Sequence, residues 1–198
     1  MRSLFALFTA MLLAGCAATS LTNQWKNPEA AGAQVRKVLV VAVSDYPSIR
    51  RVFEDEFVAQ LRAAGLAAEP SYRFIAQDGQ VDVATLAKAA EEAGVQATLV
   101  TRLVRIEQVT EFMPAPYWSV WPWIGYPGWY PVMGGGMVVG PAPYQYNVVV
   151  AETSLYLQPA GKLLWSGMTR TVAPHDVSRD TQRFAKLIID SLNKQGIL

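Results

Sequence analysis

Residues 38–65 read VLVVAVSDYPSIRRVFEDEFVAQLRAAG, and this stretch decides the fold. The unbroken apolar run at 38–43 predicts a strand buried on both faces, because a half-buried strand would alternate apolar and polar residues. Pro47 and Ser48 follow with turn and helix-start chemistry, and Gly65 is a typical helix stop. The stretch therefore predicts one strand followed by one helix.

The helix of this unit has apolar residues at helical spacing, which predicts the face that it buries. We place its charged residues, including Arg50 and Glu54, on the other faces. The acidic triplet 54–56 is interpreted as a solvated face, because adjacent helix residues point to different sides. The predicted buried stripe consists of Ile49, Phe53, Phe57, Leu61 and Ala64, with Val52 beside it.

A second unit of the same kind follows. Residues 66–71 predict a short strand, and Asp82 is placed to cap a helix that ends at Gly94. Residues 95–104 predict the next strand. The helix is expected to turn Val83, Leu86, Ala90 and Ala93 inward.

The last third predicts a hairpin and a final helix. Strands at 148–157 and 163–172 flank the turn 158–161, and either Asp176 or Ser178 can cap the helix. The predicted order is β-α-β-α-β-β-β-α. It implies an α/β or α+β fold, with a mixed sheet of about five strands covered by helices.

An uncharged insertion, residues 112–146, separates the third and fourth predicted strands. It holds four of the six Trp, five of the eight Tyr and seven of the twelve Pro. Proline at this density prevents a regular helix, so the insertion is expected to be a long loop or hairpin tip and not a membrane span. Its rings could cap the sheet, bind a partner or glycan, or enter the membrane interface. The candidate binding residues are Trp118, Trp121, Trp123, Trp129 and Tyr130.

The N-terminus has the pattern of a secretory signal. Arg2 precedes a short apolar run at 4–13, followed by Ala14 and Gly15. The run is too short to span a bilayer stably. We therefore predict a signal peptide at residues 1–15.

Residues 13–16, Leu-Ala-Gly-Cys, resemble the lipobox of bacterial lipoproteins. The resemblance implies cleavage before Cys16 and two or three acyl chains on this sole cysteine, which is enough for stable anchoring. Ala17, where the family pattern has Asp for inner-membrane retention, implies the outer membrane, facing the periplasm. Residues 16–34 are predicted to be a lipidated tether reaching roughly 60 Å, and residues 35–198 a single domain.

Two further stretches carry a second resemblance. Residues 37–45 with 50–57, and 152–156 with 161–167, resemble a group of small uncharacterised proteobacterial lipoproteins. The architecture is also similar to the periplasmic domains of the curli-secretion lipoprotein and the penicillin-binding-protein activator lipoproteins. That likeness implies action by protein contact and not by catalysis.

Charge and residue chemistry point the same way. Without residues 1–15 the chain has 16 basic and 16 acidic residues, so it lacks the basic face that nucleic acids require. It has one histidine, His175, and no catalytic motif, so no enzyme activity, metal or cofactor is expected. We expect an outer-membrane lipoprotein that contacts an envelope protein or itself. The alternative is a module that binds the membrane interface, a small ligand or a glycan.

Overall fold

The computed structural model describes residues 19–30, 32, 34–112 and 143–198. These residues form one sheet of six strands with three α-helices. The predicted α/β class is confirmed, with one strand more than expected. The elements are β1 (Thr19–Lys26), β2 (Lys37–Val43), α1 (Pro47–Ala63), β3 (Ala67–Pro70), α2 (Val83–Ala93), β4 (Ala97–Phe112), β5 (Pro143–Leu157), β6 (Lys162–Val172) and α3 (Val177–Lys194).

The sheet is mixed, with the strand order β1-β6-β5-β4-β2-β3. β2 is parallel to both β3 and β4, whereas β6 is antiparallel to both β5 and β1. Between β4 and β5, Thr101 bonds to Thr153 and Arg102 to Glu152. Residue numbers rise along one strand as they fall along the other, so this pair is antiparallel.

Helices cover the sheet on both faces. α1 and α3 pack on one face, where their apolar side chains meet those of β2, β4, β5 and β6. Trp165, Phe57 and Leu192 are fully buried there. α2 covers β2 on the other face through Ala89, Ala90 and Ala93. The burial of β2 on both faces explains its continuous apolar run.

Strand β1 corrects the predicted tether. Residues 19–26 do not form a free linker, because they pair with β6 from Thr19↔Thr171 to Lys26↔Trp165. Leu21 packs against the main core, and the Lys26 Nζ donates to the carbonyl oxygen of Gln195. The folded domain thus includes residues within the predicted tether.

The strands β4 and β5 are longer than predicted. β4 continues to Phe112 and β5 starts at Pro143, so both ends of the predicted insertion are strand. The described residues divide into two compact units, one up to Glu107 and from Asn147 onward, the other between Gln108 and Tyr146. No helix in the described ranges is both long and apolar enough to cross a membrane.

Candidate functional site at the carboxyl end of the sheet

The first unit has one end at which the parallel strands finish and all three helices begin. We call it the carboxyl end of the sheet. β2 ends there at Val43, and α1 starts at Pro47. α3 starts beside the end of β6, where the N–H of Ala173 donates to the carbonyl of Asn147. Ligands of open α/β sheets usually bind outside these strand ends, so this end is the first place to search for a site.

A buried arginine organises this end. Arg50 is 2% exposed, and all three nitrogens of its guanidinium donate hydrogen bonds. Nε bonds to Glu54 at 3.1 Å, and one terminal nitrogen bonds to Asp78 at 3.0 Å. The donors are thus matched, as a buried charge requires. The remaining acceptors are the Ser71 hydroxyl and the carbonyls of Ile75 and Gln77.

Glu54 corrects the predicted solvated face, because it is completely buried. One carboxylate oxygen accepts from the Ser71 hydroxyl at 2.7 Å and the main-chain N–H of Ala42 at 3.0 Å. The other accepts from the N–H of Tyr72 at 3.0 Å. With Arg50 as fourth donor, this carboxylate is occupied by the protein itself and has a structural role.

The Arg50–Glu54 pair fixes segment 71–79 against the end of β2. The N–H of Gly79 donates to the carbonyl of Ser44 at 2.8 Å. Gly79 has φ +83°, and a Cβ there would lie 2.5 Å from the Asp45 carboxylate. The positive φ favours glycine at this position, and a side chain there would also displace the exposed carboxylate of Asp45.

Apolar side chains are exposed around this end. Ile49 and Val83, both predicted to be buried, are 43% and 80% exposed. Phe57 and Leu61 of the predicted stripe are buried as expected, but in the first turns of α1 the buried positions are Arg50 and Glu54 and not Ile49. Of the eight large apolar side chains that are clearly exposed in the described part of the first unit, seven lie at this end and Trp25 does not. The seven are Tyr46, Ile49, Val52, Val83, Leu103, Ile106 and Val177.

The helix starts are satisfied by their own residues. Asp82 accepts from the N–H and hydroxyl of Thr85 at 2.9 and 2.7 Å, and these hydrogen bonds lower the pKa of its carboxyl. Asp176, one of the two predicted caps of α3, accepts from the N–H of Arg179 at 2.8 Å. The N-termini of α2 and α3 are thus capped by side chains of this chain, Asp82 and Asp176.

The groups at this end are paired charges and exposed apolar side chains. Its buried charges are paired with each other, and its exposed surface carries both apolar side chains and paired charges such as Arg102–Glu152. Within the described ranges no three His, Cys, Asp or Glu residues form a group that could hold a metal.

A groove of about 920 Å³ lies at the other end, where α2 meets the β5–β6 turn at Pro159.

The residues predicted to form the site, Cys16, Trp118, Trp121, Trp123, Trp129 and Tyr130, lie outside the described residues. Their points of attachment are described. In the first unit the chain leaves at Glu107 and returns at Asn147, whose carbonyl accepts from Ala173 just after the end of β6. β1 starts at Thr19, which pairs with Thr171 near the end of β6. Both segments therefore join the first unit at the carboxyl end.

Comparison with known proteins gives loose structural likenesses and no family. No protein-family model and no curated protein matches the chain. Two crystal forms of the PelC dodecamer from Paraburkholderia phytofirmans have chains 16% and 15% identical to it, with TM-scores of 0.47 and 0.45. They cover 86% and 87% of this chain and 96% of their own. A PDZ domain protein from Parabacteroides distasonis is 8% identical at a TM-score of 0.33, covering 91% of this chain and 38% of its own. No activity is carried over from likenesses this loose.

Proposed function

We propose that this chain is a lipid-anchored protein of the bacterial envelope that acts by binding at the membrane surface and not by catalysis. Cys16 is the acylated residue, and Ala17 after it favours the outer membrane, with the domain facing the periplasm. The observation that carries the proposal is the start of β1 at Thr19, three residues after the lipobox cysteine. Three residues reach at most about 11 Å.

The short attachment gives the anchor a structural consequence. A tether of the predicted length would let the domain move tens of ångströms from its lipid, whereas about 11 Å is less than the thickness of one leaflet's hydrocarbon. The sheet is then held at the headgroups. Binding surfaces on this domain are best placed for partners that are themselves in or on the membrane.

The insertion 112–146 is the proposed binding segment. Its Trp and Tyr rings combine an apolar body with a polar group, which suits a protein interface and the membrane interface. The chain leaves the first unit at Glu107 and re-enters it at Asn147, at the same end as Thr19, which is the described residue nearest in sequence to the proposed anchor. We favour an envelope protein or a second copy of this chain as the partner; lipid or a glycan is the alternative.

Labelling with a palmitate analogue tests the anchor. The wild-type chain should take up the label and fractionate with outer membranes, and Cys16→Ser should do neither. Ala17→Asp should keep the label and move the protein to the inner membrane. Unlabelled wild-type protein would overturn the proposed lipidation.

Photo-crosslinking in cells tests the binding segment. A photoreactive residue at Trp121 or Trp123 should give a discrete protein adduct that disappears when neighbouring rings are replaced by Ala. The same residue at Trp25, at the other end of β1, is the matched control. Lipid adducts alone would favour the membrane alternative, and internal crosslinks alone would mean that the rings pack within the protein.

A further inference from the structure

We propose that the carboxyl end of the sheet in the first unit is itself a membrane-docking surface, which lies on the lipid headgroups with the starts of α1, α2 and α3 towards the bilayer. This inference rests on the proposed acylation of Cys16 and specifies what anchoring does to the domain. It assigns a role to exposed apolar residues that the fold does not use.

The first argument is the position of the anchor. Thr19 pairs with Thr171, and Thr171 pairs with Val149, so three strands are level where β1 begins. Val149 lies three residues outside Glu152, which bonds to Arg102 beside the last residue of β2. An acylated Cys16 within about 11 Å of Thr19 must therefore pull this end towards the lipid.

The second argument is the distribution of exposed apolar groups. Tyr46 is 68% exposed just before α1, Val83 is 80% exposed at the start of α2, and Val177 is 44% exposed at the start of α3. Because these side chains come from three separate elements, one helix face does not explain them. A bilayer interface would bury them together, and the Tyr46 hydroxyl would reach the headgroups.

The opposite end has a different character. Its exposed contacts are polar, such as the ion pair of 2.8 Å between Lys162 and Glu29 and the Arg62–Glu69 pair of 3.5 Å. Ala160, in the β5–β6 turn, is exposed there, and of the exposed large apolar side chains described in the first unit only Trp25 lies away from the carboxyl end. Exposed ion pairs also occur at the carboxyl end, as between Arg102 and Glu152, so the two ends differ in the number of exposed large apolar side chains and not in their ion pairs.

The charges at the carboxyl end argue for apolar docking and not for recognition of anionic lipid. Asp45, Asp82 and Asp176 are exposed there, and so are Arg51 and Arg179. Both signs are interspersed, unlike the basic clusters that bind acidic headgroups. We expect docking to depend little on the fraction of anionic lipid.

The apolar surface is small, so its contact with the bilayer depends on the lipid anchor, which keeps the domain close to the membrane. A few partly buried apolar side chains bind a membrane weakly and reversibly. Tethering by Cys16 makes docking intramolecular and raises the effective concentration of bilayer. We expect the unlipidated protein not to bind vesicles. The lipidated protein is expected to adopt a single orientation on the bilayer.

Nitroxide labelling of lipidated full-length protein tests the orientation. Acylation uses the only native cysteine, so one introduced cysteine provides a unique thiol. The labelled variants are Ile49→Cys and Val177→Cys, with Ala160→Cys as the matched control at the other end. They are reconstituted in phosphatidylcholine vesicles with and without phosphatidylglycerol, and accessibility is measured to oxygen, which partitions into lipid, and to a water-soluble nickel chelate.

Labels at 49 and 177 should lose accessibility to the nickel chelate and gain it to oxygen on membrane binding, and the label at 160 should not change. If all three labels behave alike while the protein floats with the vesicles, the docking surface is wrong and the anchor stands. If the wild-type chain carries no acyl group and does not float, the proposed lipidation is wrong as well.

Discussion

Glu54 accepts a hydrogen bond of 3.0 Å from the main-chain N–H of Ala42, where β2 has lost its neighbour β3. The β2–β3 pairing ends at Val40↔Pro70, and the chain then turns away. A buried N–H without an acceptor would be costly, so the carboxylate of α1 replaces the missing strand. Arg50 in turn balances the charge of that carboxylate.

Replacing Glu54 should therefore strongly destabilise the fold. Glu54→Ala removes the more deeply buried of the two carboxylates that pair with Arg50 and should lower the free energy of unfolding by about 3–5 kcal/mol. Urea denaturation of the unlipidated Cys16→Ser protein, followed by circular dichroism, measures the loss. Glu92→Gln, which removes an exposed pair with Lys88, is the control and should cost less than about 1 kcal/mol. Equal effects would contradict a structural role for the Arg50–Glu54 pair.

Gly167 provides space for the ring of Trp165. A Cβ at 167 would lie within van der Waals overlap of that indole and 3.0 Å from a methyl group of Leu21. Gly167→Ala should destabilise the fold by about 1–3 kcal/mol, because the buried ring must move. Thermal melts measure the effect, with Ser166→Ala, on the other face of β6, as the control. An unchanged melting temperature would mean that the ring relocates freely.

The cap of α2 should give a pH-dependent stability difference. Hydrogen bonds from Thr85 lower the pKa of Asp82 below its ordinary value of 3.8. A lowered carboxyl pKa contributes stability above the unfolded-state pKa, and this contribution is lost as pH falls through the folded-state pKa. Asp82→Ala should thus lower the melting temperature at pH 7, and its difference from wild type should shrink below about pH 4. A melting-temperature difference that stays constant from pH 7 to pH 2 would contradict this interpretation. Glu91→Gln, which removes a carboxylate of the same helix that is not its N-cap, is the control.

Lengthening the attachment should separate anchoring from docking. About twenty Gly/Ser residues inserted between Ala18 and Thr19 add a root-mean-square span of about 25 Å. The protein should still float with vesicles, but labels at 49 and 177 should regain accessibility to the nickel chelate. An insertion of the same length in the β5–β6 turn at Ala160 is the control and should leave docking unchanged. Retained protection with the N-terminal insertion would show that the surface binds lipid without help from the anchor.

Local sequence signals predicted most of the fold. The strand–helix unit at 38–65, the Asp82 cap and the hairpin turn at 158–161 depend on short-range chemistry, and all three are confirmed. β1 was missed because its residues, TSLTNQWK, have no strong strand pattern. Its stability comes from pairing with β6, about 145 residues later, and that partner is not visible from a local window.

The site was predicted less well, for a related reason. Phe57 and Leu61 are buried as predicted, but helical spacing allows either Ile49 and Phe53 or Arg50 and Glu54 to continue the same buried face towards the start of α1. The polar pair could be recognised as buried only with knowledge of Ser71 and Ala42, which lie on other elements. The proposed lipid-facing end likewise depends on where β1 starts relative to β6.

The β1–β6 pairing also has a mechanical consequence. Any force that draws the domain away from an acylated Cys16 enters the fold at Thr19 and runs along the axis of β1. Seven residue pairs join this strand to β6, from Thr19↔Thr171 to Lys26↔Trp165. A pull along the strand loads their hydrogen bonds together in shear, whereas a pull across it would open them one after another. With the proposed acylation of Cys16, the edge strand β1 is oriented to bear tension between the anchor and the domain.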